Sequence, residues 1–163
     1  MEKDLYEILV EYILDDQNRF YRLAYSYVQN KDDALDIVQN AICKALERYE
    51  TLRDAGAVRA WFYRILVNES LMMLKKKKES PLPDDGAALE IPYHERGYDI
   101  QEDLYEQINQ LNEEVQTVIK LRFYEELTLP EIAEATGTNL NTVKARLYRG
   151  LKTLRQNIEE VDA

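Results

Sequence analysis

Side chains able to do covalent or metal chemistry are scarce in this chain. It holds one cysteine, Cys43, and one histidine, His94. A lone thiol closes no internal disulfide, and one imidazole beside one thiol falls short of a structural zinc site. Cys43, between Ile42 and Ala45, reads as a small, partly buried helix residue, and His94 as a solvated side chain in an acidic stretch. No glycine loop that cradles phosphate and no nucleophile with an adjacent base is present, so hydrolase or transferase chemistry is disfavoured. No catalytic residue, metal, cofactor or small-molecule substrate is expected. What remains is the chemistry of binding: cations, amides and aromatic rings at helical spacing, which can meet phosphates and base edges.

The formal charge of −10 argues against a polyanionic ligand until it is divided along the chain. Residues 59 to 78 hold Arg59, Arg64 and Lys75 to Lys78 against Glu69, for +5. Residues 137 to 157 hold Lys144, Arg146, Arg149, Lys152 and Arg155 with no acid, again +5. Residues 79 to 117 set eleven carboxylates against Arg96, for −10. Two basic patches are thus separated by an acidic connector.

The second patch lies in the most specific local signal, Thr128 to Arg149. Thr128 and Glu131 fit a capping box, and Pro130 falls in a first helical turn, where backbone N–H groups have no intrahelical acceptor. Gly137 can take the left-handed conformation that ends this helix, and Asn139 can cap the next. Ile132, Ala133, Val143 and Leu147 can then pack across the turn, a helix-turn-helix. With Val143, Leu147 and Leu151 inward, Asn141, Lys144, Ala145, Tyr148 and Arg149 fall outward on a face suited to the major groove. All charge on this second helix is positive up to residue 157, unlike the mixed signs of an ordinary solvated helix.

The elements that must position these residues are helical throughout. Leu5, Ile8, Leu9, Tyr12 and Ile13, then Phe20, Leu23, Ala24, Tyr27 and Val28, recur at three and four residue steps and predict two short helices. Asn30 to Asp33 supply cap chemistry before the strongest run: Ile37, Val38, Ala41, Ile42, Ala45, Leu46 and Tyr49. After a breaker at Arg53 to Gly56, Trp61, Phe62, Ile65, Leu66 and Met72 or Met73 mark a fourth helix ending near the lysines. These four helices predict one bundle, residues 1–78. Prolines, glycines and carboxylates in residues 79–99 predict a flexible linker. Helical spacing restarts with Leu104, Ile108, Leu111, Val115, Val118, Leu121 and Phe123, so residues 100–163 form the second all-α domain. No run approaches the roughly 20 apolar residues of a membrane span, and the N-terminus begins Glu2, Lys3, Asp4, so a cytoplasmic address is expected.

A helix-turn-helix serves many regulators, including stand-alone ones whose first domain senses a ligand or dimerises, so the first domain decides the role. From about Phe20 to Leu154, failing only in the linker, the sequence resembles the extracytoplasmic-function (ECF) group of bacterial sigma factors. Asp33 to Ile42 is similar to that family's polymerase-binding helix, Ala60 to Asn68 to its promoter-melting helix, and the helix-turn-helix to its upstream-element reader. The resemblance implies two small helical domains, of the sigma region-2 and region-4 types, that recruit core RNA polymerase to promoter DNA without catalysis. It implies core-polymerase contacts at Asp36, Gln39 and Asn40, although the family usually has acids where this chain has Leu35 and Asn40. For the −10 element it implies Leu52 and the loop to Val58, Arg59, Tyr63, Asn68 and Lys75, with Met72 and Lys75 standing where the family commonly has Asp and Arg. Trp61, Ile65 and Met72 share one side and are expected to pack, while Tyr63 is kept as a candidate strand contact. For the −35 element it implies Asn141, Lys144, Ala145, Arg146, Tyr148 and Arg149. An anti-sigma factor, often membrane-anchored in this family, is the further partner implied.

Overall fold

A computed structural model of the protein describes residues 3–79 and 102–162. The segment expected to form the linker, apart from Glu79, lies outside the described residues, as does His94. All regular structure among the described residues is helical. The chain divides into two compact units between Gly97 and Tyr98. Among the described residues no helix is long and apolar enough to cross a membrane.

In the first unit, α1 runs Leu5–Val28, α2 Lys31–Glu47 and α3 Val58–Glu79. The two short helices expected at the start are one bent helix. Asp16 departs from helical geometry (φ −117°, ψ 16°) without ending α1, and Leu9, Ile13, Phe20, Leu23 and Ala24 enter one core from both sides of the bend. The Glu7 N–H donates to Asp4 Oδ1 (2.8 Å) at the start, and Gln29, at φ 53°, closes the end. Asn30 caps α2 by accepting from the Asp33 N–H (2.9 Å), as its residue type predicts. The inner face of α2 is Ala34, Ile37, Val38, Ala41 and Ala45. Cys43 is exposed rather than partly buried, because those five positions already fill the core side and Cys43 lies across the helix from them.

The inner face of α3 is rotated from the expected one. Ala60, Phe62, Tyr63, Leu66, Val67 and Ser70 are buried, while Trp61 and Ile65 are half-buried and Met72 is 59% exposed. The selecting contact is aromatic: Phe20 of α1 meets Phe62 at 4.5 Å between ring centroids and Tyr63 edge-on at 5.7 Å. Two ion pairs tie α2 to α3. Lys44 reaches the buried Glu69, and Lys77 Nζ lies 2.7 Å from Asp33 Oδ2 while also donating to the Val28 carbonyl (3.3 Å) at the end of α1.

The second unit comprises α4 (Glu102–Gln110), α5 (Glu113–Ile119), a widened π turn (Lys120–Tyr124), α6 (Leu129–Thr136) and α7 (Leu140–Asp162). Ile108, Val115, Ile119, Tyr124 and Leu154 form its core, flanked by Leu104, Tyr105, Leu111 and Leu147. Phe123, expected to pack, is more than half exposed, since the π turn directs Leu121 and Tyr124 inward instead. Leu151 is also exposed (43%): the inner line of α7 runs Val143, Leu147, Gly150, Leu154, so Gly150 takes the place expected for Leu151. Lys120 is fully buried, its Nζ donating to Gln116 Oε1 (2.5 Å). Gln116 is oriented for this by its Nε2 donating to the carbonyls of Asn109 (3.0 Å) and Leu111 (3.2 Å).

Candidate nucleic-acid interface

The helix-turn-helix forms from the signals that predict it. The Thr128 N–H donates to Glu131 Oε1 (2.9 Å) and the Glu131 N–H to Thr128 Oγ1 (3.2 Å), both halves of a capping box. Gly137 is left-handed (φ 67°) and ends α6, and the Thr142 N–H donates to Asn139 Oδ1 (2.8 Å) to start α7. Ile132, Ala135 and Val143 are buried across the turn, with Ala135 in the role expected for the half-buried Ala133.

On the opposite side of α7, Asn141, Lys144, Ala145, Tyr148 and Arg149 are all exposed. They form a ridge of amide, cation, methyl, phenol and guanidinium groups that can meet base edges and phosphates in a major groove. Arg146 does not join them. It is half-buried, with Nη2 3.2 Å from Glu114 Oε2 of α5, because its position on α7 turns toward the core side. Among the −35 contacts that the resemblance implies, Arg146 alone turns to another helix rather than outward.

In the first unit, Asn68 and Lys75 are exposed, and both lie on one line of α3 with Arg64 and Met72. Positions 64, 68, 72 and 75 follow one another at three or four residue steps, so they share a face. Arg59 is half-buried near the start of that helix. Two expected strand contacts are corrected. Tyr63 is 1% exposed and held edge-on against Phe20, and Leu52 is 2% exposed, so neither presents a side chain to a ligand. Trp61 stands nearer the surface, its Nε1–H donating to Thr51 Oγ1 (3.2 Å), which in turn donates to the Arg48 carbonyl (2.8 Å). Arg64 and Met72 are surface members of this line that sequence reasoning did not assign to it, and their helical spacing from Asn68 was the available signal.

Asp36, Gln39 and Asn40 are exposed together on α2, opposite its packed face, with Leu35 and Cys43 beside them. The acid and amide groups therefore form a polar patch with a small apolar component, suited to a protein partner.

Comparison with known proteins bears on these faces. The Sigma-70 region 2 family model matches residues 13–80, and the Sigma-70, region 4 model matches residues 101–154. RNA polymerase sigma factor SigV of Bacillus subtilis is 45% identical over 155 residues, covering 95% of this chain and 93% of that protein. The ECF RNA polymerase sigma-E factor of Haemophilus influenzae is 27% identical over 179 residues, covering 94% of this chain and 95% of that protein. Among solved structures, CnrH in complex with the cytosolic domain of CnrY superposes with TM-score 0.69 at 17% identity, covering 93% of this chain and 88% of that one. The sigma factor RpoE in complex with the anti-sigma factor NepR from Bartonella quintana gives TM-score 0.69 at 20% identity, covering 91% and 95%.

Proposed function

The chain belongs to the extracytoplasmic-function group of bacterial RNA polymerase sigma factors, and from that premise we propose how its exposed faces divide the work. A sigma factor directs core RNA polymerase to promoters and starts transcription there. In our reading residues 1–78 dock on core polymerase and hold the melted −10 strand, residues 79–99 are the linker, and residues 100–163 read the −35 duplex. Asp36, Gln39 and Asn40 make the polymerase contact. Asn68 reads an unpaired base while Arg59, Arg64 and Lys75 meet the strand backbone. Asn141, Lys144, Ala145, Tyr148 and Arg149 enter the major groove.

The observation that carries this reading is the division of α7. Its five proposed readers are exposed together, while Val143 and Leu154 on the other side are buried in the second unit. Such a helix can give one face to DNA without loss of packing. Nothing in the reading requires bond chemistry from this chain, since nucleotidyl transfer belongs to the polymerase. It works in the cytoplasm, where polymerase and promoters are. Control by an anti-sigma factor is part of the same proposal, supported by the NepR-bound relative of like fold.

Run-off transcription with purified bacterial core polymerase on fragmented genomic DNA tests the reading. Discrete promoter transcripts should appear only when this protein is added. They should fail with Asp36→Ala/Gln39→Ala, whose thermal unfolding should match the parent. Parent-level transcription by that variant would remove the α2 patch from the interface.

A further inference from the structure

Arg146 is set apart from its basic neighbours on α7. Lys144 and Arg149 are exposed, whereas the Arg146 guanidinium turns to the Glu114 carboxylate at 3.2 Å, across to the first turn of α5 and outside the helix-turn-helix. One turn further along, Gly150 sits where an added Cβ would come within 2.8–2.9 Å of Ile119 and Val115 of the same α5. Helix α5 therefore grips α7 twice: by close backbone approach at Gly150 and by charge at Arg146.

We propose that Glu114 is a positioning residue for −35 recognition. Through Arg146 it fixes the roll of α7 about its own axis, and Arg146 is a strut rather than a groove contact. The inference rests on the reading of α7 as the −35 helix. The glycine seam is apolar and smooth, so it sets distance better than rotation, while an ion pair between side chains of two helices resists rolling. A roll of about 20° moves side-chain ends at a radius of about 6 Å by about 2 Å, enough to break a base contact. Glu114 is itself 71% exposed. An ion pair so open to solvent contributes little to folding, so loss of the strut should disturb recognition more than stability.

The salt dependence of promoter binding separates a strut from a phosphate contact. Each lost phosphate contact lowers the slope of log affinity against log salt by about one, whereas a lost strut lowers affinity and leaves the slope alone. With holoenzyme and a −35-dependent promoter fragment in fluorescence anisotropy, Arg146→Ala should weaken binding by about threefold with the parent slope. Lys144→Ala should lower the slope by about one. Glu114→Gln, which leaves the packed residues of α5 in place, should reproduce the Arg146→Ala pattern. The exchange Glu114→Arg/Arg146→Glu should recover most of the affinity that Arg146→Glu alone loses. A slope lowered by about one in Arg146→Ala, or an exchange no better than Arg146→Glu alone, overturns the strut. If Lys144→Ala also keeps the parent slope, the reading of α7 as the DNA helix fails and takes the strut with it.

Discussion

Helices α3 and α7 each contain most of a basic stretch of net charge +5, residues 59–78 and 137–157, and put that charge to different uses. On the first unit's side, Lys77 is drawn to Asp33 and to the end of α1, and the acid of the segment, Glu69, is itself bound to Lys44 of α2. On the second unit's side, α7 is seated by apolar residues and a glycine, and one cation, Arg146, is diverted to a neighbouring helix. The first unit adds two ion pairs to its aromatic core to tie α2 to α3, whereas the second seats α7 mainly by shape, with one ion pair at Arg146, and leaves Lys144 and Arg149 facing outward. Equal net charge therefore does not mean equal capacity to bind a polyanion.

The sharpest way to break this contrast is to remove two outward cations of α7 together. Lys144→Ala with Arg149→Ala should cost about 1–3 kcal/mol per contact in promoter binding, about thirtyfold or more for the pair. Promoter-specific transcription reads the loss, and the unfolding midpoint should not move. A fallen midpoint would mean that α7 also depends on charge for its seating. Lys44→Met should act the other way, lowering stability by about 2 kcal/mol because Glu69 is left buried without its cation. Urea unfolding measures it, and an unchanged midpoint would show that the pair does not hold the first unit. Gly150→Ala tests seating by shape. Overpacking against Ile119 and Val115 outweighs the roughly 1 kcal/mol that alanine contributes in a helix, for a net loss of about 1 kcal/mol. A gain in stability would show that the seam can open. The smallest effect belongs to Lys77→Met. It should change stability by less than about 1 kcal/mol and leave the salt slope of −10 strand binding alone, whereas Lys75→Ala should lower that slope by about 0.7.

Much of this arrangement was legible in the residues. The capping box at Thr128, the cap at Asn139 and the turn at Gly137 are local signals, and local signals survive folding. So does the stripe of α2, whose polar and apolar positions alternate cleanly enough to place Asp36, Gln39 and Asn40 outside. The phase of α3 was not legible. Trp61, Phe62, Tyr63, Ile65, Leu66 and Val67 are apolar nearly all round, so spacing alone cannot say which side faces inward. Contact with Phe20 decides it, and that contact joins residues more than forty apart. The pairing of Arg146 was not legible for a related reason: its sign matches its neighbours, and only the approach of α5 shows a carboxylate beside it.

Buried Lys120 has a consequence for the response of the second unit to acidity. Desolvation holds its ammonium well below the ordinary value of 10.5, so the folded chain releases a proton that the unfolded chain keeps. Between that lowered value and 10.5 the unfolded state binds more protons, and stability must rise as pH rises. Tyr124 pulls the other way, since burial and then the neighbouring Tyr105 push its phenol above the ordinary 10 and its contribution is lost as pH climbs past that point. The second unit should therefore firm toward about pH 10 and loosen beyond it. Lys120→Met should flatten the rising limb and leave the falling one, a difference that urea unfolding at a series of pH values would resolve. A rising limb that persists in the variant would place the released proton on another group. A lysine inside this core thus couples the second unit's folding to proton release, so that its stability rises with pH up to about 10.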